Sequence, residues 1–270
     1  VLRTKKVHLA ASRFGIPVNF RHVNFTVHTL QSFQGDDGVD QQAPVTFTPL
    51  AEIADDIFPL KLPENVSTLG VDFIRADKPS CTVSVRHGCT SSASKNTQSS
   101  SGDVVLSIKQ SLRSTGLGAV VWDCALNLCQ VMHLLPEFSE HPTLANSQYR
   151  RALDLGSGTG LVGIAAALNG ADDVVLSDID ELTELLQENV SANDKVLGLQ
   201  RRQCIRIMSL PWGETVSTAL PSLMDIVFAS DCLYDDKFFD VLLETIGSVT
   251  KPRGVIYFSY QVCHAAFGQS

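Results

Sequence analysis

From Val104 onward, apolar and polar positions follow a regular order. Val104–Ile108 reads as a short strand. Val121, Ala125, Leu128, Met132 and Leu135 recur at spacings of four, three, four and three, the single face of a helix that Pro136 ends. Arg151–Leu155 is predicted as a strand running into a glycine turn, Leu161–Leu168 as an alanine-rich helix, and Asp173–Ser177 as an apolar strand closed by Asp178. Leu182, Leu185, Leu186 and Val190 mark another helix. Cys204–Met208 and Asp225–Ser230 read as strands, the second ending at Asp231. Phe238, Leu242, Ile246 and Val249 mark a helix stopped by Pro252-Arg253-Gly254, and Val255–Tyr260 is the final strand. Apolar strands alternating with helices imply a parallel sheet covered on both faces. The expected fold is α/β, a Rossmann-like doubly wound, mostly parallel sheet whose ligands sit at the carboxyl ends of the strands.

Before Val104 this order is missing. Strand-like pieces occur at Val18–Leu30 and Val66–Ile74, with turn-rich sequence between them, and Thr90–Gly102 has the polar composition of a linker. The expected division is an irregular, β-containing N-terminal extension over 1–103 with no assigned role, and one domain over 104–270. The chain of 270 residues is 44% hydrophobic and 19% charged, which excludes a mostly disordered polymer. No apolar run approaches the roughly 18 residues that span a membrane. A net charge of −8 opposes general binding to phosphate backbones, and Arg201, Arg202 and Arg206 form the densest basic cluster. No partner among nucleic acids or membranes is expected. The seven cysteines contain no CxxC pair, so no metal centre is expected, and they read as reduced thiols of a cytoplasmic, or also nuclear, protein. The Asn-x-Ser/Thr triplets at Asn24, Asn65 and Asn189 read as chance matches without a secretory signal.

Two motifs carry chemistry. The first is Asp154-Leu-Gly156-Ser-Gly158-Thr-Gly160 directly after a strand, where glycines let the backbone turn sharply and approach a ligand. Gly158-x-Gly160-x-x-Gly163 also fits a dinucleotide fingerprint. Register favours Gly156 as the first turn glycine, and a carboxylate at Asp154 suits a cationic ligand better than a pyrophosphate; S-adenosylmethionine, with an ammonium and a sulfonium, is such a ligand. Asp178, ending the next strand, can accept hydrogen bonds from both ribose hydroxyls or cap the helix that follows; Asp180 reads as the cap. Trp212 is either an adenine platform or a core residue. The second motif, Asp225-Ile-Val-Phe-Ala-Ser-Asp231-Cys-Leu-Tyr234, ejects Asp231 and Tyr234 beyond a strand end. Asp231 can accept a hydrogen bond from an incoming amine, flanked by Tyr234. Trp122, by itself, reads as a hydrophobic anchor at a helix start.

Taken together, Gly118-Ala-Val-Val-Trp122-Asp-Cys-Ala, Leu153 to Gly163, Leu176-Ser-Asp178, Leu210-Pro-Trp212-Gly and Ala229-Ser-Asp231-Cys-Leu-Tyr234 resemble the seven-β-strand methyltransferases of family 16. That family modifies lysines on chaperones, an AAA ATPase and translation elongation factors. The resemblance covers roughly Val104 to Tyr260. It implies an S-adenosylmethionine-dependent transferase acting on a lysine ε-amine of a protein partner. By position it assigns cofactor contacts to Trp122, Gly156, Ser157, Gly158, Asp178, Trp212 and Ser230, and the acceptor pocket to Asp231 and Tyr234. Ser157 and Ser230 stand where the family often has alanine. Gln261–Ser270 is too short for the family's last helix and strand pair, so the expectation is a C-terminally short domain with an open sheet edge.

Other function classes fit less well. A short-chain oxidoreductase needs Tyr-x-x-x-Lys, and Tyr234-Asp-Asp-Lys237 has the wrong spacing. A nucleic-acid methyltransferase needs a basic channel. A small-molecule methyltransferase shares the cofactor half, and a truncated, non-catalytic methyltransferase-like binding protein is a further alternative.

Overall fold

The computed structural model describes residues 20–28, 46–49, 79–86, 103–111, 116–135, 137–138, 150–214, 220 and 222–261. The strand expected at Val66–Ile74 and the linker at Thr90–Gly102 lie outside them. Nine strands are described: β1 (Phe20–His28), β2 (Thr46–Pro49), β3 (Ser80–Arg86), β4 (Asp103–Lys109), β5 (Arg151–Leu155), β6 (Asp173–Asp178), β7 (Ile205–Ser209), β8 (Met224–Ser230) and β9 (Thr250–Gln261). The α-helices are α1 (Asp123–Val131), α2 (Leu161–Leu168), α3 (Thr183–Ala192), α4 (Asp194–Gln203) and α5 (Phe239–Val249).

Seven of these strands form one sheet in the order β2-β1-β9-β8-β5-β6-β7. Every neighbouring pair from β1 to β7 is parallel, and only β2 runs antiparallel to its neighbour. The chain order reverses at β5, which has β6 on one side and β8 on the other. That is a topological switch point, where an open α/β sheet parts its loops and leaves a crevice.

Both faces of the sheet are apolar, as the continuous hydrophobic strands require. On one face Ala152, Val174, Leu176, Ile226, Phe228 and Tyr257 pack against α1 and α2. On the other, Leu153, Leu155, Val175, Val227, Ala229, Ile256 and Phe258 pack against Leu242, Leu243 and Ile246 of α5. The alternation of period two along β5 therefore puts Leu153 and Leu155 on one face and Ala152 and Asp154 on the other.

The structure departs from the sequence expectations in four places. β4 is not part of the main sheet: it pairs antiparallel with β3, from before residue 103. Val83, Val85, Leu106 and Ile108 of this ribbon lie buried in the core of the first face, so residues on both sides of 103 share that core. The side of β9 away from β8, expected to stand open, is paired with β1. The Pro252 stretch does not separate helix from strand. α5 ends at Val249 and β9 already begins at Thr250, with the register against β8 shifting between Met224 and Ile226; an irregularity of this kind is where a strand tolerates proline. Finally, α4 has no counterpart in the hydrophobic pattern, because Leu197 is its one buried residue.

Candidate active site

The site is built at the carboxyl ends of β5, β6, β7 and β8. β5 ends at Leu155, so Gly156 is the first residue of the turn, as the register argument requires. Gly156 (φ 68°) and Gly158 (φ 57°) are both left-handed, a conformation that costs residues with a Cβ about 1–2 kcal/mol. Space is short as well. A Cβ on Gly156 would lie 3.0 Å from Cζ2 of Trp212 and 3.1 Å from Sγ of Cys232, and one on Gly158 would lie 2.6 Å from the carbonyl oxygen of Gly118. Trp212 therefore lies against the glycine turn, and the segment before α1 closes over it from the other side.

Hydrogen bonds fix the turn. The Ser157 N–H donates to the Ser177 carbonyl (2.9 Å), and the Ser177 N–H donates back to Ser157 Oγ (2.8 Å). Ser157 Oγ itself donates to the Asp154 carbonyl at 2.6 Å. Serine at 157 thus braces the turn from inside, a role that alanine could not fill.

Asp154 does not face the crevice. Strand alternation turns its carboxyl under α2, where Oδ2 accepts the Gly163 N–H at 2.9 Å and the residue is 1% exposed. Its suitability for a cationic ligand is therefore not a matter of direct contact. Burial raises its pKa to about 7, opposed by the Gly163 amide and helped by the negative charge of Asp178.

Asp178 ends β6 and faces the turn. Its Oδ2 accepts the Gly158 N–H (2.7 Å) and its Oδ1 accepts the Ile179 N–H (2.8 Å). It is not a helix cap. The N-cap positions that follow are Ile179 and Leu182, neither with a side-chain cap bond, and Asp180 lies inside a 3-10 turn rather than at a cap. A carboxylate has about four acceptor positions, so Asp178 keeps two for hydroxyl donors. Burial pushes its pKa above the usual carboxylate range, against the two amide donors.

At the last position of β8, Ser230 carries a buried hydroxyl with no hydrogen-bond partner. A buried unpaired hydroxyl costs on the order of 1–3 kcal/mol and calls for a ligand. Asp231 follows at φ 57°, the only residue other than glycine with positive φ among the described residues. Strain of this kind concentrates at functional sites. Its carboxylate Oδ1 accepts from Sγ of Cys124 at 3.3 Å, in the first turn of α1. Tyr234 is 58% exposed and joins Trp212 (centroids 6.5 Å apart) and Phe238 (6.0 Å) in an aromatic cluster. The apolar spacing of Phe238 reads as helix core, and no sequence signal pairs it with Tyr234: Tyr234 lies outside the helix, so the loop after β8 and the 3-10 turn Asp236–Phe238 bring the two rings together. Trp122 stands at the N-cap of α1, its indole N–H donating to the Leu117 carbonyl at 3.0 Å and its ring partly exposed.

The donor set fits a nucleoside sulfonium. A close-approaching glycine turn and a dihydroxyl acceptor stand at the ends of β5 and β6, an unpaired hydroxyl and a second carboxylate at the end of β8, and the Trp212 indole lies against the glycine turn. No group of three or more His, Cys, Asp or Glu suited to a metal ion occurs among the described residues.

Comparison with known proteins agrees with this geometry. Residues 100–267 match the family model described as lysine methyltransferase. The chain is 36% identical over 154 residues to protein N-lysine methyltransferase METTL21A of Xenopus tropicalis, covering 57% of this chain and 65% of that one. It is 35% identical over 153 residues to EEF1A lysine methyltransferase 3 of Mus musculus, covering 56% and 60%. The chain thus spans less than two thirds of either relative. A solved structure, the glycopeptide N-methyltransferase MtfA complexed with (S)-adenosyl-L-methionine, aligns with 15% identity and a TM-score of 0.36, covering 47% of this chain and 50% of that chain. The match over residues 100–267 takes in β4 to β9 and every residue of the crevice described above: the chain belongs to the lysine methyltransferase family.

Proposed function

We propose that this chain transfers a methyl group from S-adenosylmethionine to the ε-nitrogen of a lysine on a protein substrate. One observation carries the proposal. At the switch point of the sheet, the Gly156–Gly158 turn bonded to Asp178 stands at the ends of β5 and β6, and the unpaired Ser230 hydroxyl with Asp231 stands at the end of β8.

When bound, the cofactor supplies a methyl carbon activated by a neighbouring sulfonium. The protein does the rest by placement. Asp178 accepts from the ribose hydroxyls, the glycine turn brings backbone close to the nucleoside, and Trp212 and Trp122 offer aromatic faces. Asp231 accepts a hydrogen bond from the incoming amine and aims its lone pair at the methyl carbon. The amine must be neutral, which for a lysine of ordinary pKa about 10.4 costs roughly 4.6 kcal/mol at pH 7. Desolvation in the crevice reduces that cost. The aromatic cluster of Tyr234, Trp212 and Phe238 covers the aliphatic stem, and Tyr234 can hold a methylated ammonium by cation–π contact. Positioning of this kind supplies rate by fixing a near-attack geometry.

The relatives' names point to protein lysines, and EEF1A, a translation factor, is the first acceptor to try. A reducing compartment, cytoplasmic or nuclear, suits the thiols of Cys81, Cys124, Cys129, Cys204 and Cys232. The test has two stages. Calorimetry with S-adenosylhomocysteine should give saturable one-to-one binding that Asp178→Ala weakens. Incubation with methyl-labelled cofactor, EEF1A and, separately, a hypomethylated protein extract should then place label on lysine after acid hydrolysis. Absence of cofactor binding would overturn the enzyme reading; label on any residue other than lysine would overturn the choice of acceptor.

A further inference from the structure

The chemistry proposed above uses Asp231 but not the groups that hold it. Three hydrogen bonds link Asp231, β9 and α1 in a closed circuit. The Asp231 N–H donates to the Ser259 carbonyl at 2.7 Å. Ser259 Oγ donates to the Cys124 carbonyl at 2.8 Å. Cys124 Sγ donates to Asp231 Oδ1 at 3.3 Å. Ser259 is 1% exposed and Cys124 5% exposed, so the inner side of the circuit is shielded from water, while Asp231 is half-buried.

We propose that Cys124 and Ser259 are positioning residues for Asp231, setting the direction in which its carboxylate meets the substrate amine. Resting on the lysine reading above, the inference adds the residues that make the acceptor pocket rigid. Three features support it. Asp231 has a left-handed backbone, which an L-residue holds only when its surroundings over-determine it, and the amide bond to Ser259 is one such restraint. A terminal carboxyl torsion is broad and roughly two-fold, so backbone restraint alone does not orient the oxygens. A donor on Oδ1 does, and the Cys124 thiol is that donor. The thiol is a weak donor, but a charged acceptor strengthens the bond and sulfur's size lets it reach from the first turn of α1. Cys124 is also two residues from Trp122, so the same circuit ties the acceptor carboxylate to the segment that closes over the glycine turn.

The experiment needs no protein substrate. One probe is S-adenosylhomocysteine. The other is an aza-analogue of the cofactor in which nitrogen replaces sulfur and carries a two-carbon link to a butylamine nitrogen, so that an amine stands near the position of the lysine ε-nitrogen and a four-carbon stem follows it. The two probes also differ where nitrogen replaces sulfur, a difference common to every variant, so the change in their affinity ratio between variants, read by calorimetry, reports the acceptor pocket. In the unsubstituted protein the aminoalkyl probe should bind about tenfold tighter. Cys124→Ala should leave the S-adenosylhomocysteine affinity unchanged and abolish most of that advantage. Cys124→Ser, which keeps a donor, should retain it. The S–H stretching band that disappears in Cys124→Ser should shift in Asp231→Ala, independent of any ligand. An unchanged affinity ratio in Cys124→Ala, or an S–H band indifferent to Asp231→Ala, would overturn the positioning role. An unsubstituted protein that binds S-adenosylhomocysteine but gives the amine arm no advantage would overturn the lysine pocket, and the positioning role with it. No binding of either probe would overturn the cofactor site itself.

Discussion

At the scale of single residues, Asp178 and Asp231 close the two apolar strands that flank β5, yet their duties differ. Asp178 is committed to the turn through Gly158 and Ile179. Asp231 is held by Ser259 and Cys124, on the far side of the crevice. Asp231→Ala should therefore lower methyl transfer by about a hundredfold or more, through loss of amine orientation, while leaving the dissociation constant for S-adenosylhomocysteine within about twofold. Calorimetry beside a transfer assay checks this; a parallel loss of cofactor affinity would place Asp231 in the cofactor site instead. The places of both carboxylates at strand ends were legible in the sequence, because a polar residue closing an apolar strand of a doubly wound sheet emerges at the carboxyl edge, where the loops part. Asp154 illustrates the limit. It precedes the turn by two residues, but a side chain's face depends on the strand's parity, and parity put this carboxyl beneath α2 rather than in the crevice.

At the scale of elements, the β3–β4 ribbon has an edge that a third strand would ordinarily satisfy. Two asparagines of α3 and its C-cap do this instead. Asn189 Oδ1 accepts the Lys109 N–H (2.7 Å) and its amide donates to the Lys109 carbonyl (3.1 Å). Asn193 makes the same pair with Ser107 at 2.9 and 2.8 Å. The Asn189 amide also reaches the Thr159 carbonyl in the glycine turn at 2.9 Å, joining the ribbon to the site. With no exposed surface and its amide so occupied, Asn189 is no glycan acceptor. Asn189→Leu would leave Lys109 N–H, Lys109 C=O and Thr159 C=O without this partner, at about 1–3 kcal/mol for each group that stays unpaired. The expected loss of stability is about 3 kcal/mol or more by urea denaturation, with faster hydrogen exchange at the Lys109 amide. Gln187→Leu, on the exposed face of the same helix, should change stability by less than about 0.5 kcal/mol; equal effects would refute the asparagine edge. Strands β5, β6 and β8 and helix α2 were legible because their residues are apolar at a fixed period. The ribbon and α4 were not: β3 is a mixed polar strand whose partner β4 is distant in sequence, and α4 buries one side chain and breaks at Gly198.

At the scale of the whole molecule, the fold buries an ionisable carboxyl beside its own binding turn, and this sets how stability follows pH. The Asp154 pKa is raised to about 7 in the folded chain, against about 3.9 for an unfolded aspartate. Between those values the folded state binds a proton that the unfolded state releases. The contribution of Asp154 is therefore fully present below about pH 4 and lost as pH rises towards 7, at roughly 1.4 kcal/mol per pH unit. Above pH 7 the carboxyl is ionised in both states and the contribution is constant. Other groups titrate too, Asp178 among them, so the quantity to measure is a difference. Asp154→Asn keeps an oxygen for the Gly163 N–H and has no proton to lose. Its urea midpoint, converted to free energy, should rise relative to that of the unsubstituted protein as pH goes from 5 to 7, by about 2–3 kcal/mol in all, and the two curves should run parallel from pH 7.5 to 8.5. Any fixed cost of the new amide moves one curve bodily and leaves the slopes untouched. Parallel curves across the whole range would mean that Asp154 is already ionised when folded, with the Gly163 and Ser157 donors outweighing its burial.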